Sequence, residues 1–229
     1  LELLVVTLAH TYPGRDADGL ARMRIISDTV RNVQGLVTAR FYRSRGNESY
    51  YFILTTWEDE DSWQKAHERF SPRQLLLGSA TELLAGQPEQ WLMQYLWGYS
   101  RPAAAPILAA AHLATIQAGQ ADLIQRGWIE SLRRQAVLPN IAFAFLARGM
   151  NEDAVLAQAS QQLHAPASPS SGSASNEETM YQHGSVFLNL LSWASETDRE
   201  DFYTDPNYQA ISRFIGGIGV IQILPLDPL

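Results

Sequence analysis

The apolar positions along the chain switch repeatedly between a strand period and a helix period. Residues 1–10, LELLVVTLAH, form a short, nearly continuous apolar run, as in a strand buried on both faces. The turn signal YPGRD follows. Leu20, Met23, Ile26, Val30 and Val33 then recur at gaps of three and four, which predicts an amphipathic helix over 17–34 with Gly35 as its C-terminal glycine. Residues 36–44 and 49–57 are rich in β-branched and aromatic side chains and predict two strands joined by a hairpin at 45–48. An acidic turn, EDEDS, opens a helix near residue 60. Ser71-Pro72 breaks that helix and starts another, predicted to reach Leu84. Residues 90–99 supply a fourth strand, and the order is β-α-β-β-α-β.

The order then recurs. A Pro/Ala-rich linker, 101–106, separates a first unit, 1–100, from a second, 107–229. The second unit reads as a strand over 107–115 and a helix over 123–135 with Ile124, Trp128 and Leu132 on one face. Strands over 141–148 and 185–193, a helix opening in SETDRED, a helix over 205–214 and a strand over 219–226 complete it. An insertion at about 151–180 breaks the symmetry; its first part, 151–163, has a helical pattern, and 165–178 is low in complexity. The glycine-rich stretch 214–219 precedes a strand rather than a helix, so it reads as a turn and not as a dinucleotide loop. The fold class is α+β, with two ferredoxin-like units. The strands are apolar on both sides, whereas a sheet with one wet face alternates cleanly, so each sheet needs a cover and the other unit is the obvious one.

Composition narrows the function. Charged residues are 18% of the chain, below the roughly 25% of average soluble domains, as expected when two units share a buried face. The net charge is −7, of which residues 1–102 carry −1 (11 basic, 12 acidic) and the remainder −6. Neither half offers the basic field that nucleic acid or an anionic membrane requires. No run of 18 apolar residues exists, and no signal pattern opens the sequence, so a cytoplasmic protein is expected. The absence of cysteine excludes disulfides, thiolate metal sites and cysteine nucleophiles. No His or carboxylate spacing suggests a metal.

The segment Trp57-Glu-Asp-Glu-Asp-Ser-Trp-Gln-Lys-Ala-His67, followed by Ser71-Pro72 and preceded by Gly35-Leu-Val, resembles the antibiotic biosynthesis monooxygenase (ABM) family. The resemblance implies a dimeric α+β barrel, here formed within one chain as an internal pseudo-dimer, alone or as a homodimer. It implies a small aromatic or apolar molecule as partner and cofactor-independent oxygenation as the activity. Non-enzymatic ligand binding, a stress-related role and haem binding or degradation are alternatives on the same fold. Against haem degradation, Ala66 stands where that branch has a tryptophan, and no asparagine lies in the first strand. No cofactor is therefore expected.

His67, at the end of a helix covering the sheet, is the catalytic candidate, because imidazole titrates near neutrality and suits a base toward a phenol. His10, Arg40, Tyr51, Trp57, Trp63, Trp91 and His112 are the candidate pocket residues. His10 and His112 share a parity on the first strands of the two units and are expected to face the helix–sheet layer. The aromatics suit stacking of an aromatic ligand. An inward Arg40 would suit an anionic or phenolate group. In the second unit Trp193 and Asp205-Pro206 have counterparts in the motif, but Tyr203 falls where His67 would be. The first unit is thus expected to carry the activity.

Overall fold

The computed structural model describes residues 2–46, 49–101, 106–136, 141–150 and 184–229. Most of the linker, Asn47 and the insertion at 151–180 lie outside the described residues. The first unit comprises β1 (Leu3–His10), α1 (Asp16–Val30), β2 (Leu36–Ser44), β3 (Tyr50–Trp57), α2 (Glu60–Phe70), α3 (Pro72–Ser79), a 3₁₀ turn (Thr81–Leu83) and β4 (Glu89–Ser100). The second comprises β5 (Leu108–Ile116), α4 (Ala121–Gln135), β6 (Ile141–Gly149), β7 (Ser185–Trp193), α5 (Glu196–Thr204), α6 (Pro206–Ile218) and β8 (Gly219–Pro228). Among the described residues no helix is long and apolar enough to cross a membrane.

The eight strands close into one barrel in the order β1-β3-β2-β8-β5-β7-β6-β4. Each unit contributes a ferredoxin-like sheet, and two seams, β2–β8 and β4–β6, join them. This closure gives every strand a neighbour on each side, although β2 and β8 pair only from Tyr42 to Ser44. Because β1 and β3 are buried on both faces, their sequences are apolar throughout. One face lines the barrel interior, where Leu4, Val6, Phe52 and Leu54 meet Ala111, Phe145, Leu188 and Leu224. The other face of each sheet is covered by that unit's own helices. Met23, Ile26 and Leu76 pack on Ile53 in the first unit. Ile124, Trp128, Phe202 and Ile215 pack on Phe187 and Leu191 in the second.

The helix starts recur between the copies. Asp59 accepts from the Ser62 backbone at 2.7 Å, and Ser195 from that of Asp198 at 3.1 Å. Ser71 and Asp205 cap α3 and α6, each followed by proline in the first helical turn.

Three boundaries differ from the sequence pattern. Helix α1 ends at Val30, and Gly35 instead makes the turn into β2 at φ +85°, where an added Cβ would lie 2.5 Å from that of Ser62. Helix α3 stops at Ser79, and the chain continues through the 3₁₀ turn rather than as one helix to Leu84. Gly216 and Gly217 are not a turn: α6 runs through them to Ile218, because Ile211 and Ile215 bury its inner face. Tertiary packing there outweighs a glycine cost of about 1 kcal/mol per residue.

Candidate functional site

The sequence-named residues of the first unit fall on different layers. Trp57 is fully buried beneath α2, and its indole N–H donates to Thr55 Oγ1 at 3.0 Å. Trp63 packs edge-on against Trp57 with ring centroids 5.3 Å apart. His67 lies one turn further along α2, 5.8 Å from the Trp63 ring, and its Nδ1 is 2.8 Å from the Gln64 carbonyl. Tyr51 is on the same sheet face, with its hydroxyl 3.4 Å from the Asp16 carbonyl. It borders a polar cleft of about 420 Å³ with Arg43, Arg45 and Asp227.

His10, Arg40 and Trp91 belong to the opposite face. His10 shares parity with the barrel-lining Leu4, Val6 and Leu8, but it ends the strand, is exposed, and packs 5.8 Å from Tyr50. It therefore does not face the helix–sheet layer. Trp91 pairs with Val6 and packs against the barrel interior. Arg40 pairs with Leu54 and places its guanidinium 4.2 Å from the Phe143 ring centroid. His67, His10 and Arg40 are thus not brought to one place.

The second unit does assemble a polar cluster. Leu108 pairs with Trp193 as Leu3 pairs with Trp57, so the ladders can be compared position by position. The pair Thr7–Ile53 in the first unit corresponds to His112–Asn189 in the second. His112 is therefore the counterpart of Thr7, not of the neighbourhood of His10, and it faces the helices. A helix-layer position on β5 forces that orientation, since side chains alternate along a strand.

His112 is 1% exposed, Asn189 2% and Trp193 0%. Above them, Tyr203 from α5 and Tyr208 from α6 direct their hydroxyls at His112 Nε2, at 3.4 and 3.5 Å. Phe202 fills the space between, with centroids 5.4 Å from Trp193 and 4.8 Å from Tyr208. Arg199 reaches over Tyr203 at 5.9 Å and pairs with Glu196.

Burial pushes the His112 imidazole down to about 4, opposed by the Asn189 carbonyl across the ladder. Burial also pushes the Tyr203 phenol up, with Tyr208 adding to the shift and Arg199 opposing it. The Tyr208 phenol rises by burial against a hydrogen bond with Ser212. At neutral pH the cluster is thus a neutral imidazole facing two protonated phenols.

Four buried polar atoms of this cluster have no hydrogen-bonding partner among the described residues: His112 Nδ1, Asn189 Oδ1 and Trp193 Nε1 on the sheet, and Arg199 Nε on α5. The main-chain carbonyl of Asn189 lies near enough to His112 to favour its charged form. In the first unit, Thr55 satisfies Trp57; the corresponding residue on β7 is Leu191, which cannot satisfy Trp193. Sequence reasoning missed Asn189 and Tyr208 as site residues. The available signal was an asparagine, on the parity of Trp193, interrupting the apolar residues Val186–Leu191 of SVFLNLLSW. Among the described residues no group of three His, Asp or Glu is arranged to hold a metal ion.

The closed eight-stranded barrel with helices outside each half defines a dimeric α+β barrel folded from one chain. Residues 3–69, within the first unit, match the model of the family described as antibiotic biosynthesis monooxygenase. The whole chain is similar in fold to three solved structures. An anthrone oxidase-like protein is 11% identical, with a TM-score of 0.69 and coverage of 100% of this chain and 91% of that one. A structure described as a major regulator of staphylococcal pathogenesis is 8% identical, with a TM-score of 0.56 and coverage of 99% of each chain. A ferredoxin-fold protein related to antibiotic biosynthesis monooxygenases, from Listeria monocytogenes, is 9% identical, with a TM-score of 0.51 and coverage of 98% and 95%. No curated protein matches the chain in sequence.

Proposed function

We propose that the chain oxidises a small phenolic or quinol-type aromatic molecule with dioxygen, without a cofactor, in the helix–sheet layer of its second unit. The observation that carries this reading is the set of three unpartnered buried polar atoms on one sheet face. Leaving a buried polar group unsatisfied costs about 1–3 kcal/mol, so a cluster of them is a reason to expect a ligand. The surrounding Trp193, Phe202, Tyr203 and Tyr208 give that ligand an aromatic environment.

The roles follow from the chemistry of each group. His112 is neutral, so it is able to accept a proton, and the anion it creates on the substrate raises its basicity in turn. The Trp193 indole N–H donates to the substrate oxygen, and Asn189 holds a second polar group. The substrate anion passes one electron to dioxygen, the radicals combine at carbon, and loss of water leaves a carbonyl. A CH₂ group and O₂ thus become C=O and H₂O, and no external reductant is needed. Tyr203 is half-buried whereas His112 is closed off, so substrate entry requires Tyr203 to swing aside.

The closed state of the cluster supports a second reading, a binder of the same class of molecule with no turnover. Oxygen uptake with a panel of anthrone-like phenols tests the proposal. We expect uptake by the wild type, at least about a hundredfold loss in His112→Phe, and little change in His67→Ala. Binding without uptake selects the second reading. Loss in His67→Ala alone moves the site to the first unit. Haem titration followed by absorbance is expected to show no complex.

A further inference from the structure

We infer that Arg199 completes a two-donor oxygen pocket in the second unit, where its Nε–H and the Trp193 Nε1–H together hold the ligand oxygen that carries negative charge. This rests on the reading of the His112 cluster given above and names the form of ligand that the cluster takes.

The two copies differ at this point. Asp59 caps α2 and Ser195 caps α5, so positions along the two helices correspond when counted from their caps. The fourth residue after the cap is Trp63 in the first copy and Arg199 in the second. The eighth is His67 in the first and Tyr203 in the second. Trp63 is 2% exposed and packs edge-on against Trp57, whose indole N–H is already satisfied by Thr55. In the second copy an arginine takes the place of that apolar plug. Neither the Trp193 Nε1 nor the Arg199 Nε has a partner among the described residues, although both atoms are buried. Both side chains border the Tyr203 ring, whose centroid is 5.7 Å from that of Trp193 and 5.9 Å from the Arg199 guanidinium carbon.

The charge of Arg199 is already compensated. Its Nη2 pairs with Glu196, which also meets Arg45 of the first unit, itself held by Asp227. Those contacts hold the guanidinium in place and leave its Nε–H as a buried donor. Two unpartnered N–H groups call for an acceptor, and an ionised oxygen makes the stronger bond to each. The Asn189 amide oxygen does not supply that acceptor, because it is itself without a partner. Arg199 also favours the ionised form of the Tyr203 phenol, against the burial that raises it. A ligand ring that takes the place of Tyr203 meets the same influence. When His112 accepts the ligand's proton, the charge left on the conjugated oxygen lies against two fixed donors. The ligand is therefore a phenol or enol held as its anion, rather than a neutral aromatic.

4-Nitrophenol tests this, because its absorbance reports its own ionisation, with neutral 4-nitroanisole as the control. Titrated with the full chain, bound nitrophenol should ionise about one pH unit below the free compound, equivalent to about tenfold tighter binding of the anion. The shift should disappear in Arg199→Met and shrink in Trp193→Phe, while nitroanisole binds Arg199→Met as it binds the wild type. Arg199→Lys, which keeps the charge but not the Nε–H, should not restore it. Thermal melts confirm that the variants fold. Bound nitrophenol with unshifted ionisation, or a shift that survives in Arg199→Met or Arg199→Lys, would overturn the inference alone and leave the oxygen-uptake test standing. Binding of neither probe would overturn it together with the aromatic site.

Discussion

The two units of this barrel share a ladder register but not a chemistry. At one pair of facing positions the first unit has Thr7 and Ile53, and the second has His112 and Asn189. Two residues on, Thr55 satisfies Trp57, whereas Leu191 leaves Trp193 without a partner. The first copy resolves more of its buried polarity internally; Thr7 Oγ1 and Gln90 Oε1, on residues paired across β1 and β4, are its exceptions among the described residues. The second copy concentrates unresolved polarity beneath α5 and α6. A duplicated fold can thus keep one copy as a satisfied scaffold and hold desolvated groups for a ligand in the other.

The comparison breaks most sharply if the second copy is converted toward the first. The double variant His112→Thr/Asn189→Ile should abolish oxygen uptake, by at least about a hundredfold, while the protein remains folded. Unchanged uptake would show that the cluster performs no chemistry.

Next in size is pH dependence. His112 has its imidazole at about 4 in the folded chain, against an ordinary 6.5. Between those values the unfolded chain binds the extra proton, so stability falls as pH drops from 6.5 to 4. The stabilisation is fully present above 6.5, and the loss is on the order of 3 kcal/mol at most. Denaturant unfolding at pH 7 and pH 4.5 should show a smaller drop in His112→Phe than in the wild type, since the carboxylate contribution is common to both. Equal drops would place His112 in a less desolvated environment.

Asn189→Ile alone should raise stability at neutral pH by about 1–2 kcal/mol, because it replaces an unsatisfied buried amide with the first copy's residue. That corresponds to a melting-temperature gain of about 2–8 °C, and a loss would show that the amide is satisfied in solution. The reciprocal change, Thr55→Val, should cost about 1 kcal/mol by stripping Trp57 of its acceptor, again read by thermal melting. Arg45 joins the units through Asp227 and Glu196, but these groups are partly exposed. Arg45→Gln should therefore cost only about 0.5 kcal/mol, diminishing in high salt.

Much of the fold was legible in the chain. The pattern placed β2 at 36–44 and β7 at 185–193, as observed. The doubly apolar strands required a cover for each sheet, and the barrel supplies it. Gly216 and Gly217 misled because local propensity reads glycine as a turn, whereas Ile211 and Ile215 anchor the helix through them. Site residues were less legible. His112 was recognised as a candidate, but its comparison with His10 paired two positions on opposite faces of their sheets. Asn189 was visible only as an amide within the apolar middle of its strand.

The sequence by itself determined the periodicities, hence the element order, the duplication and the need to bury both sheet faces, because these depend on neighbours within a few residues. Only the tertiary structure decided that His112 faces Asn189 across a ladder 77 residues long in sequence. It alone set Tyr203 and Tyr208 on one imidazole nitrogen. Register and closure are long-range properties: a shift of one residue along β7 would turn Asn189 into the barrel and take the cluster apart.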